Sequence, residues 1–403
     1  MRGEDRLSAG RSPGGRAEPF SELCRKVVLC VTEDWFALSH FKPLIAVLRE
    51  VAHTVVVVTR SSGRLSEIEA LGARVIDFDF RRSSSNPARE AASAWALARI
   101  LEAESPDAIH LVAMKPVVLG ALAAKLLPER HVVVHMTGLG LLGYGEDRLV
   151  RLYRAAALRL IASTLRKPTS FLLVENADDL ALLRASGVDP GARFAILGGA
   201  GVDPDEYPPL PPPANKAPVA AFVGRMIRPK GIDVLMQACD RLRQRAVPLQ
   251  VELYGGTDPE NPETIDIETL KTWCAEHGAR WLGHVTDMRA VWRHADIFVL
   301  PARTREGMPR ALLEAAASAR PLVVTNVPGC RHFVRDGVEG ILVPPENADA
   351  LANALEHLAR DPDLRRRMGE AARLRLLHGF TESHVKQSLR ATYASMLANA
   401  RAS

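Results

Sequence analysis

Two carboxylates, Glu306 and Glu314, enclose the run Gly307-Met308-Pro309-Arg310-Ala-Leu-Leu. A buried-looking strand over 296–302 leads into it, and an Ala-rich helix over 310–319 leads out. Pro309 suits the first helical position, where a missing N–H costs nothing. The turn 306–309 therefore joins a strand's carboxyl end to a helix's amino end. Open α/β sheets bind ligands at such junctions, and unpaired N–H groups there attract phosphate. Glu314 falls roughly 7.5 Å further along the helix axis, at about 1.5 Å per residue. A carboxylate at each side of a diphosphate-sized gap suits a ligand with hydroxyls on both flanks, the layout of a nucleotide sugar.

A second strand–helix loop supplies cations. Gly224 and Arg225 end a strand over 219–223, and Lys230 precedes a helix. Arg grips a diphosphate through paired hydrogen bonds, and Lys does so as a compact charge. An isolated Arg-x4-Lys is more often two solvated surface cations. Gly255-Gly256-Thr257, at a third strand end, lets backbone approach a ligand closely. All three loops fall at carboxyl ends of one sheet, and that coincidence favours a binding site.

The elements that position these loops follow from the alternation of short β-branched runs with helical stretches, which predicts βαβ units around parallel sheets. With 403 residues the chain suggests two domains. Residues 21–207 read as an N-terminal Rossmann-like domain and 219–380 as a C-terminal Rossmann-like domain. The Pro-dense stretch 208–218 is the linker. Residues 381–403 form a helix placed to cross back onto the first domain. Residues 1–20, Gly-, Arg- and Ser-rich without an apolar run, read as a disordered lead rather than a signal peptide.

Net charge is +5, which favours anionic partners, and no aromatic-basic motif points to nucleic acid. Five scattered cysteines have no metal-ligand spacing and read as reduced thiols of a cytoplasmic protein. No apolar run reaches the roughly 18 residues of a spanning helix.

The second-domain motifs carry a family resemblance. Gly224-Arg225…Lys230-Gly231, Glu306-Gly-Met-Pro-Arg-Ala-Leu-Leu-Glu314, Arg320-Pro-Leu-Val-Val-Thr and Gly337-Val-Glu-Gly-Ile-Leu-Val-Pro-Pro resemble a family-4 retaining glycosyltransferase of the GT-B fold, two doubly wound domains facing a central cleft. In the first domain, Asp34-Trp-Phe-Ala-Leu-Ser-His40, Thr137-Gly-Leu-Gly and Glu175-Asn-Ala-Asp-Asp179 resemble the bacterial subgroup that builds glycans on undecaprenyl-diphosphate.

The resemblance implies roles. Arg225 and Lys230 hold the donor diphosphate and stabilise the leaving group. Glu306 meets the donor sugar or the positive charge developing at its anomeric carbon, and the Gly307, Met308 and Pro309 backbone shapes the sugar pocket. Glu314 bonds the ribose. Gly224, Gly255 and Gly256 line the donor site, and His284 and Val285 seat the base. Asp34, His40, Thr137 and Gly138 face the acceptor, although a histidine such as His40 is as often a packing residue. His135 stands near a histidine position of the family, with Thr137 and Gly138 as the alternative lining. The reaction keeps anomeric configuration and needs no cofactor or metal. The donor is a UDP-sugar, the transferred unit of N-acetylhexosamine type, and the acceptor a lipid-linked saccharide.

The stretch 148–167 holds six basic residues and no acidic one. At helical spacing Arg148, Arg151, Arg159 and Arg166 share a face, with Val150, Tyr153, Ala157, Leu160 and Ile161 opposed. Such a face is either a solvated helix side or a surface resting on anionic lipid at the inner face of the cell membrane. Competing functions are a transferase with a soluble acceptor and a non-catalytic nucleotide-sugar subunit.

Overall fold

A computed structural model describes residues 24–80, 87–139 and 148–399. The N-terminal lead and the Arg148 and Val150 side chains lie outside the described residues.

Seven parallel strands form the first sheet: β1 (Lys26–Glu33), β2 (Thr54–Arg60), β3 (Arg74–Asp77), β4 (Ala108–Val112), β5 (His131–Met136), β6 (Ser170–Val174) and β7 (Phe194–Ile196). Their order is β3-β2-β1-β4-β5-β6-β7. The connecting helices are α1 (Asp34–His40), α2 (Lys42–Val51), α3 (Leu65–Ala70), α4 (Pro87–Glu104), α5 (Met114–Ala123), α6 (Arg148–Leu165) and α7 (Ala177–Ala185). A parallel sheet needs cover on both faces, so its strands read as near-continuous apolar runs. β1 shows this, with every residue after Lys26 buried.

The second sheet holds β8 (Val219–Val223), β9 (Gln250–Tyr254), β10 (Arg280–Trp281), β11 (Ile297–Leu300), β12 (Leu322–Thr325) and β13 (Gly340–Val343), ordered β10-β9-β8-β11-β12-β13. Around it lie α8 (Ile232–Gln244), α9 (Ile267–His277), α10 (Met288–His294), α11 (Arg310–Ala317), α12 (Pro328–Phe333), α13 (Ala348–Arg360) and α14 (Pro362–Leu377). The last helix, α15 (Glu382–Asn399), belongs by contact to the first domain. Its Val385, Leu389, Tyr393, Met396 and Leu397 share one apolar cluster with Leu44, Leu48 and Val51 of α2 and with Val27 and Leu29 of β1.

Strand order reverses between β1 and β4 in the first sheet and between β8 and β11 in the second. Ligands bind at the carboxyl ends of the strands flanking such a reversal. In the second domain those ends lead into Gly224-Arg225 and into the 301–309 loop.

Two local expectations are corrected. Pro309 is the N-cap of α11, extended at φ −66° and ψ 118°, and the helix starts at Arg310. Lys230 precedes α8 as expected, closing a short 3₁₀ turn, Arg228–Lys230, with Gly231 between it and the helix. On α6, Ala157, Leu160 and Ile161 are buried as expected, but Tyr153 is 40% exposed beside an exposed Leu152. Val118 and Ala121 of α5 cover Ala157 and Leu160, further along α6.

Candidate active site between the two sheets

The second-domain loops are laced together by their backbones. Gly224 N–H donates to Tyr254 O at 2.9 Å, Met226 N–H to Gly256 O at 2.9 Å, and Gly255 N–H to Gly283 O at 2.7 Å. Gly255 has φ +139°, and a Cβ there would overlap the Gly224 carbonyl, so this crossing requires glycine. His284 is exposed beside Gly256, and Val285 is half-buried against the domain core.

Arg225, 44% exposed, pairs with Asp258 at 2.6 Å. Lys230 Nζ lies 2.8 Å from Glu306 Oε1, with both side chains more than four-fifths buried. The geometry thus brings together the predicted diphosphate cation and the predicted sugar carboxylate. Glu314 stands inside α11, nearly buried, and accepts from Arg310 Nε at 2.8 Å. Burial raises its pKa, and Arg310 opposes the rise.

From the first domain, half-buried His40 faces the same charges. Burial lowers its pKa to about 3, with further lowering from Arg310, Lys230 and Arg225. It is a neutral imidazole at physiological pH, bonded at Nδ1 to Ser39 Oγ at 2.8 Å. Asp34 has a different occupation from the expected acceptor contact. Fully buried, it accepts from the backbone N–H groups of Ser62 at 2.7 Å and Arg64 at 2.9 Å, and from the Ser62 hydroxyl. Burial pushes its pKa up, and these donations outweigh that to leave it lowered. Asp34 therefore organises the 61–64 loop from within the first domain.

Thr137 and Gly138 follow β5 and meet the second domain directly. A Cβ at Gly307 would overlap the Thr137 carbonyl and Glu175 Oε2, and one at Gly138 would crowd Gly307 N. His135 lies deeper and is fully enclosed. Its Nδ1 is 3.1 Å from His110 Nε2, and His110 Nδ1 is 2.8 Å from the Tyr393 hydroxyl on α15. Burial lowers its pKa to about 3.

Sequence reasoning gave no role to the segment after β6. Glu175 Oε2 accepts from Met308 N–H at 2.6 Å, and Asn176 Nδ2 donates to Gly307 O at 3.0 Å. Asp179 pairs with Arg305 at 3.1 Å, and Asp178 with Arg331 at 3.0 Å. The local signals were the Glu175–Asp179 run noted above as part of the resemblance and the place of Asn176 before a helix, where it caps α7 by accepting from Asp179 N–H at 2.8 Å. All five cysteines are buried and unpaired. Among the described residues no group of three or more His, Cys, Asp and Glu could hold a metal ion, and no helix is long and apolar enough to cross a membrane.

Two parallel-sheet Rossmann-like domains, with cations and carboxylates at the strand ends where they meet, define a GT-B glycosyltransferase. Residues 26–171 match the "Glycosyl transferase 4-like" model and residues 217–361 the "Glycosyl transferases group 1" model. The chain belongs to this glycosyltransferase family and is an enzyme of that class. It is 25% identical over 356 residues to the N,N'-diacetylbacillosaminyl-diphospho-undecaprenol alpha-1,3-N-acetylgalactosaminyltransferase of Campylobacter jejuni, covering 83% of this chain and 90% of that one. Anabaena HepE in complex with UDP and glucose superposes with TM-score 0.74 at 17% identity, covering 92% of this chain and all of HepE. The sucrose-phosphate synthase of Thermosynechococcus elongatus superposes with TM-score 0.76 at 18% identity, covering 93% of this chain and all of that one.

Proposed function

We propose that this enzyme transfers an N-acetylhexosamine-type sugar, with retention of anomeric configuration, from a UDP-sugar to an undecaprenyl-diphosphate-linked saccharide in polysaccharide or glycan biosynthesis. The observation that carries the donor half is the Lys230–Glu306 pair at the carboxyl edge of the second sheet, with Arg225 on the neighbouring loop. Similarity to the Campylobacter jejuni transferase over nearly its whole length supports the acceptor half.

On this reading a donor diphosphate draws Lys230 from Glu306 and Arg225 from Asp258. Charge on the departing UDP is then met by two preorganised cations, with no metal ion or cofactor required. The freed Glu306 carboxylate turns to the sugar hydroxyls or to the positive charge growing at the anomeric carbon. Gly307, Met308 and Pro309 backbone bounds the sugar, Glu314 the ribose, and Gly255, Gly256, His284 and Val285 the base. Neutral His40 accepts or donates a hydrogen bond to the acceptor without adding charge, and Thr137 and Gly138 complete that side. The acceptor hydroxyl attacks from the face that UDP leaves.

The exposed Arg151, Arg159 and Arg166 of α6, with the exposed Leu152 beside them, suit an anionic lipid surface on the cytoplasmic side of the membrane. Sedimentation with anionic vesicles should be strong at low salt and weaken as salt rises; binding that is absent or indifferent to salt removes this surface from the reading.

The deciding experiment incubates the enzyme with UDP- and GDP-sugars and an undecaprenyl-diphosphate-linked saccharide. Sugar transferred from UDP into the organic phase with the lipid supports the proposal. Transfer to a water-soluble acceptor alone replaces the acceptor half, and donor binding without transfer under any acceptor replaces catalysis with a binding role.

A further inference from the structure

The turn carrying Glu306 belongs to the second domain, yet its inner surface is held by the first. The carboxyl Oε2 of Glu175, just after β6, takes the Met308 N–H at 2.6 Å, and the Asn176 amide gives to the Gly307 carbonyl at 3.0 Å. Both ends of the single Gly307–Met308 peptide group are therefore gripped by consecutive residues of the other domain. Asn176 is wholly buried, and its orientation is dictated. Its Oδ1 accepts from the Asp179 N–H, so its Nδ2 must be the donor to Gly307 and to Asp179 Oδ2. Gly307 has no room for a Cβ against Glu175 and Thr137, so the fit is close as well as polar. Arg305, one residue before Glu306, is held by Asp179. On the far side, Gly329 N–H donates to Glu306 O at 3.1 Å.

We propose that Glu175 and Asn176 are positioning residues that set the Arg305–Met308 turn, and with it the Glu306 carboxylate, so that the sugar end of the donor site is complete only while the two domains are joined at this point. The nucleotide end has no such dependence, because Arg225, Gly255, Gly256 and His284 all come from the second domain. Binding of UDP and alignment of its sugar are thereby separate events in one site, the second of them controlled by the acceptor domain. The consequence for chemistry is that the sugar is held for transfer only where an acceptor can reach it. The carboxyl of Glu175 suits the enclosed place it occupies: burial pushes its pKa up to about 8, with Asp179 and Glu306 adding to the rise and the Met308 N–H opposing it. The inference rests on the donor reading of Glu306 given above.

Three variants of the full chain test it. Glu175→Ala removes the acceptor for Met308 N–H, and Glu175→Gln keeps one. Asn176→Asp keeps the cap of α7 but loses the amide donor and sets a carboxylate oxygen against the Gly307 carbonyl. Amide exchange at Met308 in the unliganded protein should quicken about tenfold or more in Glu175→Ala and Asn176→Asp, and stay near wild type in Glu175→Gln. With UDP-N-acetylhexosamine as donor, kcat should fall about tenfold or more in the same two variants while UDP affinity by calorimetry stays within about twofold. Unchanged exchange and kcat in both variants overturns the proposal. So does equal damage from Glu175→Gln and Glu175→Ala, or a parallel loss of UDP affinity and thermal stability, which marks a merely structural role. Wild-type protein that binds neither UDP nor any UDP-sugar sinks the donor reading instead, and the exchange measurement then decides the grip by itself.

Discussion

Lys230 Nζ and Glu306 Oε1 lie 2.8 Å apart. Each holds the other's charge in a largely buried place, so neither is left uncompensated before a donor arrives. A buried pair of this kind gains little net stability, because desolvation offsets the attraction. Removing one partner alone is costly, because the other is left charged and buried.

A neutral isostere at Glu306 still offers Lys230 Nζ an acceptor oxygen, so turnover should suffer more than folding. Glu306→Gln is expected to lower kcat by about 100-fold or more while UDP still binds, since the diphosphate cations remain. Lys230→Met should weaken UDP binding as well. Calorimetry with UDP beside steady-state kinetics separates the two; unaltered kcat in Glu306→Gln would remove this carboxylate from the mechanism.

Stability should depend on acidity in a defined window. His40 and His135 have folded pKa values lowered to about 3, chiefly by burial, and that of His110 is also well below its usual 6.5. Between pH 6.5 and about 3 the unfolded chain binds protons that the folded chain refuses, so stability is full above 6.5 and is lost as pH falls. Glu175 works oppositely, since its raised pKa makes the folded state hold a proton from about 4.5 to about 8. Its contribution declines as pH rises through that range. Melting temperature against pH should drop steeply on the acid side, and Glu175→Gln should flatten the decline towards pH 8 and leave the acid limb in place.

Gly307→Ala should fold and lose activity. Its Cβ would overlap the Thr137 carbonyl and Glu175 Oε2, and overpacking of this kind costs about 1–3 kcal/mol. The strain falls on the junction between domains rather than on either core. The expected result is a clear fall in kcat with a nearly normal melting curve; full activity would show that the junction can open without consequence for transfer.

Tyr393→Phe should destabilise the first domain although Tyr393 lies near the other end of the chain. It leaves His110 Nδ1 buried without its partner at 2.8 Å, a loss of about 1–3 kcal/mol. Urea unfolding followed by a first-domain probe such as Trp35 fluorescence measures it, and an unshifted midpoint would show that the hydroxyl contributes nothing.

Much of this was legible because it is local. Most strands of both sheets show in short apolar, often β-branched runs, and Gly224, Arg225, Lys230 and Glu306 show in motifs at the ends of such runs. What escaped depends on residues distant in sequence. Nothing near Glu175 signals that it meets Met308 across 133 positions, and an Asn before a helix reads as a cap whether or not its amide also reaches another domain. The partners of Asp34 escaped for the same reason, since they sit on a loop 28 to 30 residues away. Tyr153 was placed on the core face by periodicity, which locates an apolar stripe and not the extent of the neighbour that covers it.

The crossing of α15 bears on how the protein is made. The face of the first sheet that carries α2 finishes its core with Val385, Leu389 and Tyr393. During synthesis those residues leave the ribosome after the entire second domain. The domain begun first must therefore wait, with an apolar face uncovered, while the later one folds. A chain stopped short of α15 exposes that surface permanently and offers it to chaperones and proteases, so the final helix also certifies that translation reached it.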